Sequence, residues 1–266
     1  MAQTNNTYRK GRFCLLALYL VLSGFSAFGL SNSSLKILFD QNKFAGLNTA
    51  AKEFYLSENE KYVIALCNLV RFDAKAFINE VMVPAGYDTT SPELKGLVSN
   101  LKNQKSLFPL MPAFSLFKSS LVHAKDMGFS GLQGHVGSNG KSFEERIQQY
   151  FPSSTGIAEN YYQGSGEPVD IVMSFLLEKG EHGKIYRQNL LSEDVHYVGI
   201  SIQPHRTKCS NAVLDFAKKP NLASTTPAKK KHPGEIYWKD CPKGTKISTK
   251  RKSGGSFFFN LFGGRK

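Results

Sequence analysis

Between residues 123 and 199 the chain alternates apolar helical segments with three polar islands, and their order limits the folds open to it. The first island is Gly134-His135 followed by Ser138-Asn139-Gly140-Lys141-Ser142. The second is Gly156-Ile157-Ala158-Glu159-Asn160, and the third is Tyr186-Arg187-Gln188-Asn189-Leu190-Leu191. A histidine, a carboxylate and a Tyr-Arg-x-Asn turn at these spacings are expected to converge on one cavity.

The flanking segments say what would carry the islands. Ser57-Glu58-Asn59-Glu60 is a capping box, the serine accepting from first-turn amides while the glutamate reaches back. It opens an amphipathic helix through Phe72. Asp73 caps a further helix over 74–83, which Pro84-Ala85-Gly86 ends. Ser91-Pro92-Glu93 starts another, with proline at its first position, running to about Asn103. Phe114, Phe117, Leu121, Ala124 and Met127 share one face of a helix over 113–127. Ser142 caps a short helix over 143–147, and Glu167-Pro168 begins one through Leu177. Two strand signals, 197–202 and 212–217, read as paired strands joined by a loop over 203–211. Helices first and paired strands last predict an α+β layered domain, not a doubly wound sheet.

Charge divides the chain. The net charge is +13, but residues 218–266 hold 13 Lys and Arg against Glu235 and Asp240, so the basicity sits in a tail. At the other end Arg9, Lys10 and Arg12 precede an apolar run over 13–22, and Ala27-Phe28-Gly29 supplies small residues for a peptidase. Residues 1–29 therefore read as a secretory signal cut after Gly29, the apolar run being short of the roughly 20 residues that cross a bilayer. Residues 30–55 form a polar N-terminal arm with one short helix. Export places the chain outside the cytoplasm, as a secreted or cell-envelope protein. There Cys209 and Cys241 are available for a disulfide, while Cys67 lies on the apolar face of the first helix.

Residues 58–217 resemble the CAP superfamily (cysteine-rich secretory proteins, antigen 5, pathogenesis-related 1), most of all its bacterial secreted, SCP-like branch. Asn68-Leu69-Val70-Arg71 is similar to the family's Asn-x-x-Arg, and His123-Ala124-Lys125-Asp126-Met127 to the helix before its first cavity histidine. Gly134-His135, Arg146 and Ala158-Glu159-Asn160 follow in order. Tyr186-Arg187-Gln188-Asn189-Leu190-Leu191 stands where bacterial members carry His-Arg-x-Asn-Ile-Leu, and Val198-Gly199-Ile200 and Asp215-Phe216-Ala217 match the closing strands. The resemblance implies a domain over 56–217 built as a three-layer α-β-α sandwich around a central antiparallel sheet. It also implies a groove with His135 facing Glu159. The fuller family sets two histidines and two glutamates there, sometimes around a divalent metal. Here Tyr186 replaces the second histidine, His182 is its only nearby substitute, and Glu178 and Glu181 are the nearest candidates for the second glutamate.

Two readings of function follow. In the first, His135, Glu159, Asn160, Tyr186 and Arg187 line a non-enzymatic groove that takes a small apolar, cell-wall or peptide ligand and requires no cofactor. In the second, His135 and Glu159 are catalytic residues of an extracellular hydrolase, His135 also serving as a zinc ligand. One secure histidine falls short of the three or four ligands zinc takes, and no Gly-x-Ser-x-Gly elbow supplies a nucleophile. The tail is read as holding the protein at an anionic membrane or wall surface. Its basic runs beside Phe257-Phe258-Phe259 suit two-signal attachment, and they lack the aromatic interleaving of a nucleic-acid groove.

Overall fold

The computed structural model describes residues 30–41, 43–152, 154–177 and 183–218. The expected signal and all but the first residue of the basic tail lie outside them, as do Glu178, Glu181 and His182.

Capping chemistry sets the helix starts where the sequence places them. After α1 (Asn32–Asp40), α2 (Glu58–Phe72) begins in the Ser57–Glu60 capping box. Asp73 caps α3 (Ala74–Phe77), which passes into a π turn over Ile78–Met82. α4 (Pro92–Lys102) starts on its proline, and β1 is the two-residue Met111–Pro112. α5 (Phe114–Ser130) ends at Gly131 in the left-handed region, and α6 (Phe143–Tyr150) begins in a second capping box, Ser142–Glu145. β2 (Ala158–Gly164), α7 (Pro168–Leu176), α8 (Gly183–Leu190), β3 (Tyr197–His205) and β4 (Cys209–Ala217) complete the order.

The sheet runs β1-β3-β4-β2. Its three long strands are antiparallel, as expected, whereas β1 joins β3 in parallel, so the sheet is mixed. The loop expected over 203–211 is mostly strand, because pairing continues to His205↔Cys209. Buried Asn211 donates to Gln203 O and His205 Nε2 bonds Leu132 O, which extends the ladder to a tight turn at 206–208. Cys209 takes a positive φ of 63° there.

Alternation gives the sheet two different faces. Val198, Ile200, Ala212, Leu214, Phe216 and Tyr162 face the main apolar core with α2 and α7. The opposite face carries Gly199, Val213, Asp215, Glu159 and Tyr161, and α5 lies across it. That approach is close: a methyl group on Gly199 would stand 2.1 Å from the Leu116–Phe117 backbone, and one on Gly128 would stand 2.1 Å from Pro204 O. Helices thus cover both faces of the sheet.

Two polar side chains of α2 tie the loops to this frame. Asn68 Nδ2 donates to Leu47 O at 2.9 Å and Leu110 O at 3.2 Å, while its Oδ1 accepts from Leu110 N. Arg71 is 1% exposed and spends its guanidinium on the carbonyls of Phe108, Leu190, Ser192 and Val195, at 2.8–3.1 Å. Among the described residues no helix is long and apolar enough to cross a membrane.

Candidate functional site

Four elements and a loop bring the islands together. β2 presents Glu159 on the α5 face, fully buried, while α6 turns Arg146 inward so that Nη2 donates to Glu159 Oε2. The loop after α5 carries His135, whose Nδ1 stands 2.8 Å from Glu159 Oε1. α8 delivers Tyr186, its Oη 3.0 Å from His135 Nε2. From the α5 interior, His123 Nε2 donates to Gly134 O at 2.9 Å and lies 3.8 Å from Glu159 Oε1. The loop holds its shape because Asp126 accepts from both Ser138 N and Ser138 Oγ, at 2.7 and 2.5 Å.

These contacts fix the tautomer of His135. Arg146 can only donate, so Glu159 meets it as the carboxylate. Nδ1 of His135 then carries the proton given to Glu159, and Nε2 accepts from the Tyr186 hydroxyl. Burial and then the Arg146 charge lower the pKa of His135, keeping the ring neutral, and the same causes push His123 down to about 4. Burial first, then Tyr161 and Glu159, raise the Tyr186 hydroxyl, which therefore acts as a donor.

A second carboxyl lies beneath. Asp215 pairs with Glu159 in the β2–β4 ladder and is completely buried. Neither of its oxygens makes a hydrogen bond of normal geometry, although Glu159 and Ser119 are near enough to perturb its titration. Burial, then the Glu159 charge, raise its pKa well above the usual carboxylate range, and burial lifts Glu159 to about 7 against the pull of Arg146. Two adjacent carboxyls with one guanidinium share a proton. Arg146 bonds Glu159, so Asp215 holds that proton.

This arrangement predicts a pH dependence. A carboxyl whose folded pKa is raised binds its proton in the native state over a range where the unfolded chain has lost it. Its stability contribution is complete below about pH 4 and declines as pH rises toward the folded pKa. Asp215→Asn keeps the shape of the neutral acid without the penalty. From about pH 4 upward, until the folded pKa of Asp215 is passed, the variant should gain on the wild type by up to about 1.4 kcal/mol per pH unit, read from urea melts. Parallel pH profiles for the two proteins would count against a protonated Asp215.

The remaining expected site residues fall elsewhere. Asn160 lies on the opposite face of β2, where Nδ2 donates to Tyr186 O at 2.9 Å and Oδ1 accepts from Asn189 Nδ2 at 2.9 Å. It docks α8 and so positions Tyr186 from behind. Arg187 does not join the cluster. One residue along a helix turns a side chain by about 100°, and Arg187 reaches Leu176 O at 3.4 Å. It lines a separate depression of about 340 Å³ with Asn100, Gln104 and Ser192, and a second depression, of about 400 Å³, lies beside Lys75 and Lys102. Neither depression includes His135.

The cluster meets solvent chiefly through His135. Glu159 and Asp215 are sealed below it, and the His135 side chain keeps 23% of its surface. Its ring stands edge-on to Phe143, Tyr161 and Tyr186, with centroids 5.2–5.9 Å away. Exposed Val136 and Ile185 follow and precede His135 and Tyr186 in the chain. His123 and Asp215 were legible only as members of a helix and a strand. The one available signal was an aspartate inside the apolar run Ala212–Ala217, a buried charge that needs a partner.

The described donor set does not fit the divalent metal that the family likeness implies. Both ring nitrogens of His135 are engaged by protein groups. Among the described residues no three His, Cys, Asp or Glu side chains are grouped so as to hold a metal ion.

Helices therefore cover both faces of a mixed sheet, and His135, Glu159 and Arg146 meet on the face that α5 crosses. The family model of the cysteine-rich secretory protein (CAP) family matches residues 65–216, and the chain belongs to that family. Among solved structures, an extracellular SCP-domain protein of Bacillus anthracis is similar at 18% identity and a TM-score of 0.36, over 47% of this chain and 40% of that one. An outer surface protein of Borrelia burgdorferi is similar at 20% identity and 0.37, over 50% of this chain and 96% of that one. A cysteine-rich secretory protein of Staphylococcus aureus gives 14% identity and 0.34, over 49% and 40%. The chain thus spans less than half the length of the Bacillus and Staphylococcus proteins. No curated protein matches it by sequence.

Proposed function

We propose that the protein is a secreted or cell-envelope binding module, whose His135 recess takes a ligand without metal and without hydrolysis. The observation that carries this reading is the chain Tyr186 Oη–His135 Nε2 and His135 Nδ1–Glu159 Oε1. A general base needs a free Nε2 facing a nucleophile or water. Here that atom accepts from a hydroxyl whose pKa is raised. The surface left around it is aromatic, with Tyr161 and Phe143 beside the imidazole edge, and suits an apolar group carrying one hydrogen-bonding function.

The test uses full-length protein with two probes, dodecanoate and muramyl dipeptide, followed by calorimetry before and after chelation. One probe is expected to bind with unchanged affinity after chelator treatment, and Tyr161→Ala to weaken it at least about tenfold through lost aromatic area. Failure of both probes to bind, or chelator-sensitive cleavage of the muramyl peptide, would overturn the reading. On this reading the basic segment 218–266 retains the protein at an anionic surface.

A further inference from the structure

One corner of the folded body combines exposed apolar side chains with cations that have no acidic partner among the described residues. α5 ends there, and Phe129 stands 88% exposed with Leu132 43% exposed three residues on. The β3–β4 turn packs against the same end. Arg206 N donates to Gly128 O at 3.1 Å, and the Arg206 side chain lies 3.0 Å from where a Gly131 methyl would sit. Leu132 O is held from the other side by Gln163 Nε2 at 3.0 Å and His205 Nε2 at 3.3 Å. The corner is therefore fixed in shape before anything binds it.

Its charge is one-sided. Lys125 and Arg206 are exposed and Lys208 is half-buried, and none makes an ion pair with a described residue. The one carboxylate of α5, Asp126, is turned away to Ser138. An exposed phenylalanine and leucine, with cations on the same helix and on the adjoining turn, match a bilayer that presents acyl chains below anionic headgroups. Cys209, at the same turn, is disulfide-bonded.

We infer that this corner is a membrane-docking surface, with Phe129 and Leu132 entering the headgroup–acyl boundary of an anionic bilayer while Lys125, Arg206 and Lys208 meet its phosphates. The inference does not depend on the His135 recess, and it assigns surface binding to the folded body in addition to the tail.

The experiment is co-sedimentation of the full chain with vesicles of phosphatidylcholine alone or with phosphatidylglycerol. Wild type should partition onto the anionic vesicles and weaken with added salt. Phe129→Ser, at a site exposed enough to leave the melting temperature unchanged, should cut partitioning by about tenfold or more through loss of one buried aromatic side chain. Phe129→Ser with Leu132→Ser should cut it further. Equal partitioning by wild type and both variants would assign the binding to the tail and overturn the inference. So would a wild-type dimer in sedimentation velocity that Phe129→Ser dissociates, since the corner would then face a second copy.

Discussion

Replacing Arg71 with methionine is expected to lower the unfolding free energy by about 4 kcal/mol or more, enough to leave much of the chain unfolded at 37 °C. The reason is local and countable. Phe108, Leu190, Ser192 and Val195 each direct a carbonyl at this one guanidinium inside the protein. A buried polar group left unpaired costs about 1–3 kcal/mol, so partial rehydration of four carbonyls still leaves a large loss. No carboxylate contributes here, so the pair is not a salt bridge that a second mutation could neutralise. Burial lowers the Arg71 pKa to about 10, and the side chain stays charged at neutral pH. Arg71→Lys should recover only part of the loss, because three donors on one nitrogen cannot reach carbonyls spread around a planar fork. Urea melts of the three proteins check this. A methionine variant within about 1 kcal/mol of wild type would remove Arg71 from the account.

Glu159→Ala should cost about 3–5 kcal/mol, the range for removing one partner of a buried ion pair. Arg146, 5% exposed, would lose its counter-charge, and His135 Nδ1 would lose its acceptor. Glu159→Gln should cost less. Its amide oxygen still accepts a hydrogen bond from Arg146 or His135, which alanine cannot do; in either variant Asp215 can ionise as the anion near Arg146, so its raised pKa should fall. Melting curves at pH 7 separate the two variants. Equal, small losses would mean that Arg146 is neutralised elsewhere.

The parts of the fold set by short-range chemistry were legible in the sequence. The Ser57–Glu60 and Ser142–Glu145 boxes mark helix starts to the residue, because a cap involves only four positions. Asn68 and Arg71 can be singled out as a pair, but not the carbonyls they serve, which lie 21–124 residues away. β2 was hidden because Ala158–Gly164 is polar on its buried face, so it reads as a signature and not as a strand. The polarity of Glu159 makes sense only with Arg146 and His135 in place.

The site was legible in the same uneven way. His135, Glu159 and Tyr186 were named from their islands, and the structure brings all three into contact. Asp215 emerges only from strand register, which places it opposite Glu159, and a register is not written in either strand alone. Arg187 stands apart from the His135 cluster for the converse reason: adjacency to Tyr186 in sequence is divergence on a helix.

Whether protein groups occupy both nitrogens of His135 can be read from nitrogen NMR of its imidazole in full-length protein, assigned with a His135→Gln variant. The expected spectrum is that of a neutral ring protonated at Nδ1, with an unprotonated Nε2 that accepts a hydrogen bond and signals unchanged by one equivalent of zinc. An Nε2 signal that shifts with zinc, or a ring protonated at Nε2, would contradict it.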